Sequence, residues 1–361
     1  MFLLYNYKKH PGRFFFGDLI GILLPGLTLL ILAFAMARFY HDATLPVIDL
    51  NGKPEAYLFI PSGSDFNDLQ QLLLENGKLQ HRDAFIRLAE RKNYTRNIKP
   101  GRYKIINGMR NNDLVNLLRS GKQEPVRITI TNIRSPQELA GKIGKLLETD
   151  SGQLIRIFRD PLFLQKFGLS TSNFFVFFIP NTYEFYWNTS GDALFRRMER
   201  EFKKFWNQER RHQADSLKMT IPEIVTLASI IEKETNKNSE KSRIAGVYYN
   251  RLRKHIPLQA DPTVIFAWQD YTIRRVLHSH LEISSPYNTY RIAGLPPGPI
   301  CIPSIASVDA ALYPERHDFL YFCARDDLSG YHAFARNLKE HLVNARKYQK
   351  SLNTLNIKHG S

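Results

Sequence analysis

Two carboxylates close an apolar run. Ile224-Val225-Thr226-Leu227-Ala228-Ser229-Ile230-Ile231 leads straight into Glu232-Lys233-Glu234-Thr235. A carboxylate on such a stretch must find a partner, shift its pKa upward or border a cleft, because burying an unpaired charge is costly. A carboxyl kept partly neutral near pH 7 is what general acid catalysis requires. Glu232 follows Ala228, Val225 and Ile221 by four, seven and eleven residues, so on a helix it shares their face. Glu234 is backed by Ile230 and Leu227. Two helical positions lie about 200° apart, which separates the glutamates into different sites. The competing reading is a solvated last turn with no chemistry in it.

Other polar phrases could complete a site. Gln259-Ala260-Asp261-Pro262-Thr263 offers an amide, a carboxylate and a hydroxyl, although Asp before Pro also reads as an N-cap followed by the first helical position. Tyr287-Asn288-Thr289-Tyr290 leads into Gly294-Leu295-Pro296-Pro297-Gly298-Pro299-Ile300, a stiff segment that packs poorly and suits a loop shaping a site. Phe174 to Trp187 is crowded with aromatics; Phe175 to Ile179 read as core, while Asn181, Tyr183 and Glu184 at its edge would suit a sugar-lined groove. Zinc-type Cys/His spacing, a phosphate-cradling glycine loop and internal repeats are all missing, so neither metal nor cofactor is expected.

The elements that must position these residues follow from periodicity. Thr220-Ile221-Pro222-Glu223 is a capping box with proline in the first turn, and the apolar residues all round the following helix mark it as buried. A long basic helix is expected over 191–216, an amphipathic one over 239–252, and a hairpin where Phe319–Phe322 and Tyr331–Phe334 flank Asp326–Gly330. A terminal helix runs from Asn337 to about Leu352. Upstream, Val126–Ile130 alternates as a strand, and Ser135-Pro136-Gln137-Glu138 repeats the capping-box pattern. Between 54 and 122 a strand, two helices, a second strand and a third helix stopped by Gly121 form a compact unit resembling a LysM-like module, with Lys99-Pro100-Gly101-Arg102-Tyr103 as its clearest words.

Fifty Lys and Arg against thirty-four Asp and Glu leave an excess of sixteen positive charges over 361 residues, spread rather than gathered in a block. Such a balance favours anionic partners. Leu19 to Ala37 carries no charge and covers about 28 Å as a helix, enough to span a bilayer core. Lys8, Lys9 and Arg13 precede it and place the N-terminus, residues 1–18, in the cytoplasm. A cleaved signal peptide is the alternative, since Ala35-Met36-Ala37 resembles a cleavage site, but the run exceeds a usual h-region. Cys301 and Cys323 are read as two buried thiols rather than a bridge.

Read together, Leu227–Thr235, Leu258-Gln259-Ala260-Asp261-Pro262-Thr263-Val264, Tyr287–Tyr290 and Gly294–Ile300 resemble the MltG-like (YceG-like) endolytic murein transglycosylases in order and spacing. The resemblance covers about residues 15 to 350 and implies an α+β protein: a single transmembrane helix at 19–37, a small LysM-like α+β domain at 54–122, and a larger catalytic domain at 125–350 built around the buried helix. It implies that the first glutamate of Glu-Lys-Glu-Thr, Glu232, is catalytic, with Gln259, Asp261, Thr263, Tyr287, Asn288, Thr289, Tyr290, Gly294, Leu295, Pro296, Gly298, Tyr183 and Glu184 as substrate-binding candidates. Asn181 stands where the family usually has Asp, and Ile302 and Ser304 replace the expected Asn and Gly. Sugar contacts at those positions are therefore not carried over, and the acid is expected to be untouched by the changes.

The implied chemistry is cleavage of the bond between N-acetylmuramic acid and N-acetylglucosamine within nascent strands, ending glycan chains with a 1,6-anhydro ring. The implied partners are peptidoglycan glycan strands, the bacterial inner membrane and peptidoglycan synthase complexes, with the body outside the cytoplasm. A hydrolytic muramidase pairing Glu232 with Asp261 or Glu184 is one alternative. An anchored, non-catalytic glycan-binding protein is another. Nucleic acid is not expected as a partner, because the charge is dispersed and exported.

Overall fold

The structure is a computed structural model that describes residues 16–75 and 78–354. Lys8, Lys9 and Arg13, on which the orientation of the anchor rests, lie outside the described residues. The chain divides into two compact units after Glu124.

The first unit opens with helix α1, Phe16–Thr44. Its stretch Leu24–Thr44 is long and apolar enough to cross a membrane, and its side chains from Leu24 to His41 are exposed. The helix runs past the expected end at Ala37, and Asp42 near its C-terminal end is held bidentately by Arg87, at 2.9 and 2.8 Å. Strand β1 (Glu55–Ile60), helices α2 (Phe66–Glu75) and α3 (Arg82–Arg91), strand β2 (Gly101–Ile106) and helix α4 (Asn111–Ser120) follow. β1 and β2 pair antiparallel, Glu55 opposite Ile106 and Ile60 opposite Gly101. Alternation turns Leu58 and Ile60 of β1 and Tyr103 and Ile105 of β2 onto one core with Leu69, Leu73, Phe85, Leu88 and Leu114. Gly121 ends α4 in the left-handed region at φ 70°, where a side chain would be strained.

The second unit carries the chemistry-bearing phrases on two adjoining cores. The first is built from β3 (Val126–Ile130), α5 (Pro136–Gly144), α6 (Ser151–Arg159), α7 (Pro161–Gln165), a 3₁₀ turn at Phe174–Phe177, β4 (Asn181–Phe185) and α8 (Gly191–Phe205). β3 and β4 pair antiparallel with Ile128 opposite Tyr183. Phe158, Phe174, Phe178 and Phe195 interlock, with ring centroids 5.2 to 6.2 Å apart, so the aromatic run is core. The long basic helix expected over 191–216 is in fact two. α8 stops at Phe205, Trp206 is buried, and α9 (Gln208–Ser216) restarts with the Asn207 side chain accepting from the Arg210 amide at 2.9 Å.

The second core centres on α10 (Ile221–Glu234), whose residues Ile224 to Ile231 are all buried. Its N-terminus is the expected capping box: the Glu223 amide donates to the Thr220 hydroxyl, and the Thr220 amide donates back to the Glu223 carboxylate at 2.8 Å. At Ser135 only half of that pattern forms, since Glu138 turns to the Arg134 amide instead. Around α10 lie α11 (Asn238–Arg253), α12 (Asp261–Trp268) and α13 (Ile305–Leu312). The hairpin β5 (Tyr321–Ala324) and β6 (His332–Ala335) is tied to α11 through Glu240, which accepts from the His332 amide at 2.9 Å, and α14 (Leu338–Thr354) packs on it. Both cysteines are free thiols; Cys301 is buried and Cys323 half-buried.

Candidate active site

Glu232 sits in the last turn of α10, which ends where Thr235 adopts an extended backbone. Its side chain is 17 % exposed. One oxygen, Oε2, takes every hydrogen bond found for the group: from the Lys241 ammonium at 3.0 Å, the Ser304 hydroxyl at 2.5 Å, the Ser307 hydroxyl at 2.5 Å and the Ser304 amide at 3.3 Å. Among the described residues nothing donates to Oε1.

Three elements supply this clamp. Lys241 lies in the first turn of α11, while Ser304 caps α13 and Ser307 sits in its first turn. Fixed positive charge and amide donors at a helix N-terminus suit a carboxylate. The segment before α13 is placed by backbone ties: the Ile300 amide donates to the Ser229 hydroxyl at 3.0 Å, and the Ile302 amide to the Ile133 carbonyl at 2.8 Å. Ser229 is one turn before Glu232, so the same helix that carries the acid also holds the strip that clamps it.

The charge balance differs from the sequence expectation. An apolar helix face predicts a raised pKa for Glu232. Burial does push it up, but the Ser304 and Ser307 hydroxyls and the Lys241 ammonium outweigh burial and hold the carboxyl below its ordinary value. Ser304 also corrects the expectation that the substitution at this position leaves the acid untouched, because its hydroxyl is a direct partner of Glu232. The carboxyl displaced upward is Glu234. Burial pushes it to about 7, against the pull of the Tyr248 hydroxyl that donates to it at 2.6 Å. As helix geometry requires, the two glutamates have separate partners.

The remaining candidates gather in a second knot. Arg251 of α11 donates to the Leu258 carbonyl and the Gln259 side chain, both at 2.8 Å. The Gln259 amide donates to the Thr289 carbonyl at 3.0 Å, the Ala260 amide to the Thr289 hydroxyl at 3.0 Å, and the Thr263 and Thr289 hydroxyls meet at 2.8 Å. Asn288 is fully buried, and its side-chain amide donates to the carbonyls of Leu281 and Ile283. Thr263, Asn288 and Thr289 therefore fix the loop instead of reaching into a groove. Asp261 is the first residue of α12 and not its cap; its carboxylate accepts from the Tyr290 hydroxyl at 2.5 Å, and its negative charge helps raise the pKa of Glu234. Tyr287 packs on Phe266 with ring centroids 4.7 Å apart.

The Pro/Gly strip divides in the same way. Gly294 adopts φ +93°, a conformation that requires glycine although nothing crowds it. Leu295 packs on the core around α10, and Pro296 is buried. A Cβ on Gly298 would lie 1.9 Å from the Ser172 carbonyl oxygen, so this glycine serves close backbone approach. Tyr183 is buried, with its hydroxyl donating to the Ile179 carbonyl at 2.5 Å, and Glu184 is exposed opposite Arg127 at 3.9 Å. Neither touches Glu232. Lys241, Ser304 and Ser307 are the partners that sequence reasoning missed; the one available signal was Ser304 as an N-cap before an apolar helix.

The sequence profile of the YceG-like family matches residues 58–347. The chain belongs to the YceG-like family. It is 30% identical over 333 residues to a Bacillus subtilis (strain 168) protein named endolytic murein transglycosylase, covering 88% of this chain and 91% of that relative. A Streptococcus pneumoniae (strain D39 / NCTC 7466) protein of the same name is 28% identical over 350 residues, and there the alignment spans 87% of this chain but 62% of the relative. The crystal structure of a YceG-like protein from Listeria monocytogenes superposes with a TM-score of 0.54 at 29% identity, covering 81% of this chain and 99% of that one. In this YceG-like chain, then, the acid at the end of α10 and the strip at 294–304 belong to one assembly.

Proposed function

We propose that this protein is a membrane-anchored lytic transglycosylase that cleaves the MurNAc–GlcNAc bond of nascent peptidoglycan strands, with Glu232 as its acid and base. The observation that carries this reading is the asymmetric clamp: Oε2 is occupied by Lys241, Ser304 and Ser307, and Oε1 is left without a protein donor among the described residues. Relatives over most of the chain bear the name endolytic murein transglycosylase.

One carboxyl group suffices for this reaction. Protonated Glu232 donates its proton to the glycosidic oxygen, which leaves as the GlcNAc 4-hydroxyl. As carboxylate it then takes the proton of the muramoyl C6 hydroxyl, whose oxygen attacks C1 and closes the 1,6-anhydro ring. The nucleophile is part of the substrate, so its effective concentration is high without any device to position water. A hydrolase of the usual kind needs a second carboxylate across the bond, and neither Asp261 nor Glu184 takes part in the hydrogen bonds of Glu232. Before substrate binds, the clamp favours the carboxylate form. Sugar covering the exposed edge excludes water and moves the pKa back up, which arms the acid when substrate is present.

The second unit supplies the chemistry and the first holds it at the membrane. The exposed apolar stretch of α1 supports a membrane anchor, and the positive Lys8, Lys9 and Arg13 before it in the sequence support a body on the extracytoplasmic side. The strand-helix-helix-strand order of β1, α2, α3 and β2 supports a LysM-like glycan-docking module. An anchored enzyme of this kind would cut strands as they emerge and so terminate them, beside the synthases that make them. The test is product analysis on purified murein: 1,6-anhydro ends are expected, and reducing ends would make the protein a muramidase. Binding to murein without any cleavage would leave only a glycan-binding protein.

A further inference from the structure

One cation in the last turn of α10 has no role in the clamp. Lys233, next to Glu232, lines a cavity of about 280 Å³ with Arg134, Phe266, Tyr271, Ile273 and Ile300. The backbone explains how Arg134 arrives there: the Ile302 amide is bonded to the carbonyl of Ile133, which joins the end of β3 to the strip that clamps Glu232. The Arg134 guanidinium lies over the Tyr271 ring, 5.5 Å from its centroid, and the Tyr271 hydroxyl donates to the Arg134 carbonyl at 3.3 Å. The Lys233 ammonium donates to the Asn132 side-chain oxygen. Among the described residues neither cation has a carboxylate within ion-pair distance. Glu138, an acid on this side, is turned to the Arg134 amide at 2.8 Å.

Two cations without ion-pair partners, on walls otherwise made largely of isoleucine and aromatic rings, form a recess for an anion on a short apolar arm. Burial lowers the pKa of Lys233, the mark of an ammonium with too little compensation around it. A bound carboxylate would supply that compensation. The cavity lies just below the range of about 300–1,000 Å³ usual for drug-sized ligands, which fits a short peptide arm better than a run of sugars.

We propose that this cavity receives a carboxylate of the acidic peptide linked to the muramoyl lactyl group, so that the enzyme reads the peptide as well as the glycan. The inference rests on the transglycosylase reading for its substrate and on Arg134, Lys233 and their apolar neighbours for its site. Arginine makes the stronger, directional contact to a carboxylate. Lys233 adds charge from beside the acid, and Phe266 and Ile273 cover the methyl and methylene groups of the arm.

The experiment compares kcat/KM of the full-length protein on three synthetic strands: peptide-bearing, peptide-free, and peptide-bearing with its carboxylates amidated. The expected preference for the first over the second is about tenfold or more, the scale of one charged hydrogen bond, and the amidated strand should behave as the peptide-free one. Arg134→Gln should collapse that ratio toward one, while Arg134→Lys should keep part of it. A wild-type ratio near one, or a ratio unmoved by Arg134→Gln, would overturn the proposal. Failure to cleave any strand would refute the transglycosylase reading instead. In that case titration of the same protein with a soluble N-acetylmuramoyl peptide decides: binding that Arg134→Gln weakens sustains the site, and no binding removes it.

Discussion

At the scale of single residues, the two glutamates of α10 are opposites. Glu232 is held as a carboxylate by two hydroxyls and an ammonium, whereas Glu234, half-buried with the Tyr248 hydroxyl donating to it, is pushed up to about 7. On pKa alone Glu234 would be the better acid near neutrality; its donor, however, is a buried tyrosine, whereas the clamp on Glu232 leaves Oε1 without a donor among the described residues. Glu232→Gln is therefore expected to lower kcat on murein by a factor of about a thousand or more, and Glu234→Gln by less than about tenfold, on the scale of general acid–base catalysis at about 10²–10⁴. The reverse order would move the reaction to the other carboxyl. Lys241→Met removes one group that favours the charged form of Glu232, so the pKa of the acid rises. The basic limb of the kcat–pH profile, where the acid loses its proton, should move to higher pH, and an unmoved limb would deny Lys241 that role. Glu234 gives a stability prediction of definite sign. Its folded pKa lies above its ordinary value of 4.5, so the folded state binds the proton more tightly. Stability then falls as pH rises from about 4.5 to about 7, by at most about 3 kcal/mol. Urea midpoints at pH 5 and pH 8 should differ less in Glu234→Gln than in the wild type.

At the scale of elements, the site depends on how α10 is tied to the strip before α13. The contact of Gly298 with the Ser172 carbonyl fixes that strip from one side and the bond from the Ile300 amide to Ser229 from the other. Gly298→Ala places a carbon 1.9 Å from backbone, which forces a shift and should cost about 1–3 kcal/mol, in the range of overpacked cores. Equilibrium unfolding checks this, and a change within about 0.5 kcal/mol would mean that the strip moves aside freely. Local signals specified α10 almost completely: the capping box at Thr220 and the apolar circumference sufficed, because both are set within a few residues. Where partners are far apart in the chain, pattern failed. Ser304 reaches Glu232 across seventy-two residues, and no periodicity announces that. Asp261 looks like a cap beside Pro262, yet α12 starts one residue earlier and the carboxylate turns to Tyr290. Asn207 did carry a cap signal for α9, but the basic residues running through 191–216 hid the break at Trp206. Asn288 and Thr289 look like groove residues because polar types suggest surface; here they satisfy loop backbone in the interior.

At the scale of the whole molecule, the long apolar helix, the charge and the family were more openly legible in the sequence than the site. An uncharged run of membrane length is a one-dimensional signal, and α1 carries it with its apolar side chains exposed from Leu24 to Tyr40. The excess of sixteen positive charges suits an anionic wall polymer, and attraction of that kind is screened by salt. Binding of the protein to isolated sacculi should weaken on going from about 50 to about 300 mM salt, and salt-independent binding would assign adhesion to the glycan alone. In the proposed reaction Glu232, acting without a second carboxylate, closes an anhydro ring on the sugar it cleaves. Mass spectrometry of the fragments released from purified murein by the wild type and by Glu232→Gln tests it most directly. The wild type should release fragments with 1,6-anhydro-MurNAc ends and the variant almost none; reducing ends, or undiminished release by Glu232→Gln, would refute Glu232 as the transglycosylase acid.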